Sequence, residues 1–101
     1  MTEIYIKIHN AYRRIVAVCD FDLVGKKFEE GNVQIDVNEK FYKGDLVDEE
    51  KALEILREEA EEDSCFNFVG NLACELGIKT NIINKENILE IQGIKHAISL
   101  L

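Results

Sequence analysis

Ile15-Val16-Ala17-Val18-Cys19 is the stretch that decides the fold, because five consecutive residues in it are apolar. A strand with one face in water alternates apolar and polar residues. An apolar residue at every position therefore predicts a strand that is covered on both faces. We place this segment at the centre of a β-sheet.

The segment before it, Glu3 to His9, alternates instead, with Ile4, Ile6 and Ile8 on one face. This pattern predicts a half-buried strand, and the short connection 10–14 predicts a hairpin with the central strand. His9 falls on the polar face, where we expect a surface residue.

A third strand is predicted downstream, where Val33, Ile35 and Val37 alternate with polar residues. Between the central strand and this one, Asp20 or Asp22 is suited to cap a short helical turn.

Two main helices are predicted after residue 47. Asp48 is a natural N-cap for the first, which extends to about Asp63, and its apolar stripe consists of Ala52, Leu53, Leu56 and Ala60. The second covers about 69–80, with Asn67 as its cap and Asn81 suited to a left-handed position at its end. Gly77 inside it predicts either a break or a close contact.

Residues 88–92 and 94–100 are predicted to form two last strands around Gly93, after a turn over 84–87. Residues 1–101 are therefore expected to form a single small α+β domain. It would have about five strands in a mixed or antiparallel sheet, packed by two main helices.

Composition limits the cellular setting. The chain has 101 residues and is 47% hydrophobic, but no apolar run reaches the roughly 20 residues that a membrane span requires. Met1-Thr2-Glu3 leads directly into a strand pattern and not into a signal peptide. We expect a cytoplasmic protein without a membrane partner.

The net charge of −8 is unevenly distributed along the chain. Between Glu29 and Asp63 there are 14 acidic and 4 basic residues, a balance of −10, so the rest of the chain carries +2. The overall negative charge weakens the hypothesis that the protein binds nucleic acid. Because salt screens interactions between exposed charges beyond about 8 Å, the rest of the chain could still act separately from the acidic region. The basic pairs in the rest of the chain are Arg13-Arg14 and Lys26-Lys27.

The three cysteines, Cys19, Cys65 and Cys74, lie in or beside apolar segments and lack the close spacing of small metal sites. We expect free thiols, no bound metal and no cofactor.

Several short motifs resemble an uncharacterised archaeal family, domain of unknown function 424, over Ile15 to Ala97. They are Val18-Cys19-Asp20, Phe41-Tyr42-Lys43-Gly44, Val69-Gly70, Glu86-Asn87-Ile88, Gly93-Ile94 and His96-Ala97. The resemblance implies an archaeal source and no established activity. This chain has Lys85 and Lys95 where proline is expected in that family.

Three residues are candidates for catalysis: Asp20, Lys43 and His96. His96 shares strand parity with Ile94 and Ile98, which favours a hydrogen-bonded core histidine over an acid–base role. Asp20 is a candidate acid or base if His96 or Lys43 lies near it, and otherwise a helix cap.

The corner Phe41-Tyr42-Lys43-Gly44 follows a strand, where scaffolds often place binding groups. It can equally be a turn in which Gly44 supplies a positive φ and Phe41 anchors the core. Gly70-Asn71 at a helix start could present free N–H groups to an anion.

Two function classes fit these residues. The first is a binding module for a protein or RNA partner, linked to translation or RNA metabolism, with contacts from Arg13, Arg14, Lys26, Lys27, Tyr42, Lys43, Gly70 and Asn71. The second is a small enzyme in which Asp20, Lys43 and His96 converge on a pocket. We favour the first because the sequence contains no recognisable nucleophile–base pair or metal set. It leaves the partner and the oligomeric state open.

The scattered cysteines generate one prediction. Elemental analysis of the purified protein should find no stoichiometric zinc or iron. A metal content near one equivalent that is lost on replacing Cys65 or Cys74 with serine would contradict it.

Overall fold

The computed structural model describes residues 3–100. Its main sheet has six strands in the order β5-β1-β2-β6-β8-β7, and a separate hairpin consists of β3 and β4. The strands are β1 (Glu3–His9), β2 (Ile15–Asp20), β3 (Lys27–Glu30), β4 (Val33–Asp36), β5 (Asp45–Asp48), β6 (Cys65–Val69), β7 (Leu89–Ile91) and β8 (Ile94–Ser99).

The central position predicted for β2 is confirmed. β2 pairs antiparallel with β1 and parallel with β6, and the residues from Val16 to Cys19 are completely buried. Val16 and Val18 belong to the core on one face of the sheet, whereas Ala17 and Cys19 belong to the core on the other. The sheet is therefore the middle layer of three, and the α+β prediction is correct.

Two strands of the main sheet were not predicted. The segment Cys65-Phe66-Asn67-Phe68-Val69 is β6 and not a helix start, so Asn67 does not cap a helix. The helical spacing of Val69, Leu72, Ala73 and Leu76 misled the interpretation, because Val69 ends the strand. The acidic Asp45 and Asp48 concealed β5, which is an edge strand.

Three helices accompany the sheet: α1 (Glu39–Tyr42), α2 (Glu49–Glu61) and α3 (Asn71–Lys79). The predicted cap of α2 is confirmed, since the Asp48 carboxylate accepts the Lys51 N–H at 2.8 Å. Asn81 has a φ of 62°, as expected for the end of α3. A Cβ on Gly77 would lie 2.9 Å from Ile83, so the close contact is the correct alternative.

The two faces of the sheet are covered differently. α2 and α3 pack on the face of Phe66 and Phe68 and bury Leu56 and Leu76 between them. The opposite face is covered by α1 and the β3–β4 hairpin, through Tyr42, Val37 and Ile35. This second cover is smaller, and part of the sheet extends beyond it.

No helix among residues 3–100 is long and apolar enough to cross a membrane.

The phase of α2 can be tested with two substitutions. Leu56 is completely buried, so Leu56→Ala should lower the free energy of unfolding by about 2–5 kcal/mol. Glu58 is exposed, and Glu58→Ala should change it by no more than about 0.5 kcal/mol. Chemical denaturation measures both values, and equal losses would contradict the observed phase.

Candidate functional site

An apolar groove with a volume of about 450 Å³ lies where the second face of the sheet extends beyond its cover. It is lined by Ala11, Tyr12, Arg13, Ile15, Phe41, Cys65, Phe66, Asn67, Ile98 and Leu100. We refer to this set of residues as the apolar groove.

The groove exists because α1 and the β3–β4 hairpin do not cover the part of the sheet where β2 and β6 begin and β8 ends. Ala17 and Val69 are completely buried in the core of this face. Toward the other end of the same strands, Ile15 is two residues before Ala17 and Cys65 is four residues before Val69, and both are only half-buried. Beside them on β8, Ile98 is 48% exposed, and the following Leu100 is 76% exposed. These side chains give the groove an apolar floor that the chain itself leaves open.

Two aromatic side chains form walls of the groove. Tyr12, in the β1–β2 connection, is fully exposed. Phe41 is held in place by His9, whose ring stacks on it at a centroid distance of 4.5 Å. The His9 Nε2 also lies 2.8 Å from the Phe41 carbonyl oxygen, and because a carbonyl can only accept, Nε2 carries the proton. The prediction that His9 is a surface residue is wrong: it positions Phe41.

The Tyr42 side chain turns inward. It is buried, and its hydroxyl donates to the Asn67 Oδ1 at 2.8 Å. Burial raises the pKa of Tyr42, so the hydroxyl remains a neutral donor. Lys43 is exposed at the end of α1. A Cβ on Gly44 would overlap the Ile6 carbonyl oxygen and the Lys7 backbone. Gly44 is therefore required for close approach to β1 and not for a positive φ.

Arg14 is exposed, but its guanidinium is paired with a buried carboxylate. Its guanidinium donates to the Glu59 carboxylate at 2.6 Å, and the Ser64 hydroxyl donates to the same carboxylate at 2.8 Å. The sequence placed Ala60 in the apolar stripe of α2, but Ala60 is exposed and Glu59 is buried instead. Burial of the Glu59 carboxylate is possible because its charge is paired with Arg14. Arg13 is also exposed and lies on the rim of the groove.

The second basic pair, Lys26-Lys27, follows β2 in the chain, whereas Arg13-Arg14 precedes β2. The side chains of Lys26 and Lys27 are exposed, but Lys27 is the cross-strand partner of Asp36 in the β3–β4 hairpin. Opposite charges at directly paired positions attract each other. The four cations thus do not form a continuous positive surface, since Arg14 and Lys27 have acidic neighbours.

Asp20 acts as a cap over a long sequence distance. Its carboxylate accepts the N–H of Ala73 at 2.8 Å and the N–H of Leu72 at 3.2 Å, at the start of α3. Gly70 has a φ of 113°, and a Cβ there would overlap the Asp20 carboxyl group. Burial raises the pKa of Asp20, and the hydrogen bonds from Ala73 and Leu72 offset part of that effect. The N–H groups after Gly70-Asn71, which the sequence offered to an anion, thus bind the chain's own carboxylate.

His96 has the hydrogen-bond partner that its partial burial requires. Its Nδ1 lies 2.8 Å from the Phe68 carbonyl oxygen and therefore carries a proton. His96 pairs with Val69, which belongs to the α1-covered core, whereas Asp20 bonds to α3 on the opposite face. The structure does not bring Asp20 and His96 together, and Lys43 lies apart from Asp20 at the end of α1.

The cysteines are free: Cys19 and Cys74 are completely buried, and Cys65 is half-buried in the groove. Burial raises the pKa of the Cys19 and Cys74 thiols to about 12. Within residues 3–100, no cluster of three or more histidine, cysteine or acidic side chains could hold a metal ion.

The fold and groove define a small α+β domain with a three-layer arrangement. The chain belongs to the family described as protein of unknown function (DUF424), whose model matches residues 8–100. An uncharacterised conserved protein from Methanopyrus kandleri, known from a crystal structure, has the same fold, with a TM-score of 0.84 and 24% identity. The alignment covers 95% of this chain and 89% of that one. No curated protein gave a significant sequence match.

The groove was not predictable from sequence as one surface, because β6 was not predicted: its first residues fell between the two predicted helices, and its last residues were given to the start of the second. The available signal was in Ile94 to Leu100, where alternate residues remain apolar to the end of the segment. Such a pattern predicts an apolar face, but it does not say whether another element covers that face.

Gly70 and Asp20 generate a testable coupling. Gly70→Ala should destabilise the protein more than Gly25→Ala, because both glycines have a positive φ but only Gly70 has a neighbour in the way. Combining Gly70→Ala with Asp20→Ser should recover part of the loss. Denaturation of the four proteins in a double-mutant cycle should give a coupling of about 0.5–3 kcal/mol, and additivity would contradict the contact.

Cysteine reactivity provides a second test. In the native protein at pH 8, iodoacetamide should alkylate Cys65 first, because Cys19 and Cys74 are buried and almost entirely in the thiol form. Peptide mass spectrometry over time measures the order. Equal rates at the three positions without unfolding would contradict it.

Proposed function

We propose that this protein is a binding module for a protein partner, which inserts apolar side chains into the groove. The observation that carries the proposal is the groove itself, an apolar depression with Tyr12, Ile98 and Leu100 exposed around it. Exposed apolar surface of this kind is typical of interaction sites, and aromatic residues commonly contribute most of the affinity.

The charge distribution favours a protein over RNA. Phosphate contacts need available cations, but Arg14 is paired with Glu59, and Lys27 lies across from Asp36. On the other side of Tyr12, the depression that contains Arg13 and Arg14 also contains Glu62 and Asp63. These acids would repel a phosphate backbone. Arg13 remains accessible to a single carboxylate of a protein partner.

The geometry does not support the enzyme alternative as strongly. Asp20 is engaged with α3, and His96 is on the opposite face of the sheet. General acid–base chemistry requires groups within hydrogen-bond reach of a common substrate atom. Binding of a partner's apolar side chains in the groove does not require catalytic groups to converge. A link to translation or RNA metabolism would then follow from the identity of that partner.

Affinity purification from the native organism, followed by quantitative mass spectrometry, tests the proposal. Tyr12→Ala should reduce recovery of a specific partner at least about tenfold, which corresponds to the loss of about 1.4 kcal/mol. Phe21→Ala is the matched control, because Phe21 is also an exposed aromatic residue but follows the other end of β2. Its partner recovery should not change.

The purified complex provides the second readout. A partner in the groove should slow alkylation of Cys65, which lies on its floor. Equal losses with Tyr12→Ala and Phe21→Ala, or unchanged Cys65 labelling, would contradict the groove as the site. Recovery that is abolished by ribonuclease and falls steeply with salt would indicate RNA instead.

A further inference from the structure

A second depression, with a volume of about 490 Å³, lies between β1 and α2, on the face of the sheet opposite the apolar groove. It shares no lining residue with that groove. Its lining includes Ile6, Ile8, Asp45, Ile55, Glu58 and Glu59. We refer to this depression as the α2 cavity. Ligand sites in proteins usually have volumes of about 300–1,000 Å³, so the α2 cavity has room for a small organic molecule.

The floor of the α2 cavity is apolar because the packing of α2 on β1 does not extend to the end of that strand. Ile4 and Ile6 are buried in the core, whereas Ile8, which lies on the same face of β1, is 37% exposed. Ile55 on α2 is only partly buried. A chain of methylene groups laid over Ile8 and Ile55 would remove apolar surface from water, which is favourable.

The rim of the α2 cavity carries carboxylates that have no cation beside them. Ile55, Glu58 and Glu59 are three and four positions apart on α2, so their side chains lie on one face of the helix. The Glu59 carboxylate is paired with Arg14. Among residues 3–100, no side-chain nitrogen of a basic residue lies within 4.0 Å of a carboxylate oxygen of Asp45 or Glu58. Two negative charges at the cavity are therefore not compensated by an ion pair.

The lysine that contributes to the lining does not supply the missing positive charge. The Lys7 ammonium donates to the Lys40 carbonyl oxygen at 2.5 Å, and Lys40 belongs to α1, which covers the other face of the sheet. On α2 itself, Glu58 is four residues from both Glu54 and Glu62, and like charges at this spacing repel each other. A cation bound beside Glu58 would relieve that repulsion, so the local charge favours a positively charged occupant.

We propose that the α2 cavity binds a linear aliphatic polyamine. The methylene chain lies over Ile8 and Ile55, and the ammonium groups lie beside Glu58 and Asp45. Other common small ligands fit less well. Both acids would repel a phosphate or a carboxylate, and a hydrated metal ion would gain nothing from an apolar floor. The proposal is independent of the proposed function, because the α2 cavity and the apolar groove lie on opposite faces of the sheet.

Isothermal titration calorimetry of the purified protein with linear diaminooctane tests the charge requirement. The wild type should bind the diamine saturably, at a single site per chain. Asp45→Asn combined with Glu58→Gln should weaken binding at least about fivefold, because both ammonium groups lose a carboxylate. Glu50→Gln combined with Glu61→Gln is the matched control, since it removes the same charge from exposed positions of α2 outside the cavity. Its affinity should stay within about twofold of the wild type.

An ether-containing diamine of the same length and charge tests the apolar floor. Replacing two methylene groups of diaminooctane with oxygen keeps both ammonium groups but removes apolar surface that the floor would cover. The wild type should bind this analogue about tenfold more weakly. Methyl NMR spectra locate the ligand: diaminooctane should shift the methyl signals of Ile8 and Ile55, whereas those of Ile98 in the apolar groove should not change.

These measurements separate a specific site from general attraction to an acidic protein. Equal affinity for the two diamines, or equal weakening by the two double variants, would indicate diffuse charge attraction and overturn the proposal. Absence of saturable binding up to about 10 mM diamine would overturn it as well. Shifts confined to Ile98 would place the ligand in the apolar groove, with the same consequence. A short peptide with one lysine that binds more tightly than diaminooctane would show that the cavity receives a protein side chain and not a free polyamine.

Discussion

The structure depends on the complete removal of β2 from water. Val16 to Cys19 need apolar cover on both faces, and no single helix or hairpin can supply it. α2 and α3 cover one face, and α1 with the β3–β4 hairpin covers the other. The polar features of the protein serve this arrangement, since Asp20 fixes α3 to the end of β2 and the Tyr42 hydroxyl bonds to Asn67 on β6.

Buried polar groups in this protein are used to position elements. The Glu59 carboxylate joins the last turn of α2 to Arg14, the residue before β2, and the Ser64 hydroxyl donates to the same carboxylate. Among the described residues that are not exposed, no buried side-chain nitrogen or oxygen lacks a hydrogen-bond partner. Of the polar side chains that sequence inspection offered as functional, four are hydrogen-bonded within the fold (Arg14, Asp20, Tyr42 and His96), whereas Arg13, Lys26, Lys27 and Lys43 are exposed.

Sequence patterns predicted the parts of the fold that local physics decides. The apolar run of β2, the Asp48 cap and the positive φ of Asn81 follow from rules that act over a few residues, and each is confirmed. The errors arose where long-range contacts decide. β6 has a strand partner 50 positions earlier, and Asp20 caps a helix more than 50 residues away. His9 was misassigned for the same reason, because Phe41 is its partner across a distant part of the chain.

The candidate site, too, was predicted where local sequence decides and missed where long-range contacts decide. Arg13 was identified from sequence and does lie on the groove rim, but its neighbours Ile98, Leu100 and Cys65 were not recognised as part of one surface. Tyr42 was named from sequence as a binding residue, but its side chain is buried, whereas Phe41 of the same corner lines the groove. Which residue of a short corner turns outward depends on what packs beneath it, and that information is not local.

The parallel pairing of β2 with β6 has a consequence for how the chain reaches this state. β1 and β2 can associate as soon as both exist, because a short connection joins them. The other edge of β2 can pair only with β6, Cys65–Val69, which comes later in the chain. The β3–β4 hairpin, α1, β5 and α2 all lie between β2 and β6 in the sequence. Pairing of β2 with β6 is expected to be slow, because the entropy of closing this long loop is lost before the contact forms. During synthesis, one edge of β2 therefore stays unpaired until the residues of β6 have been added.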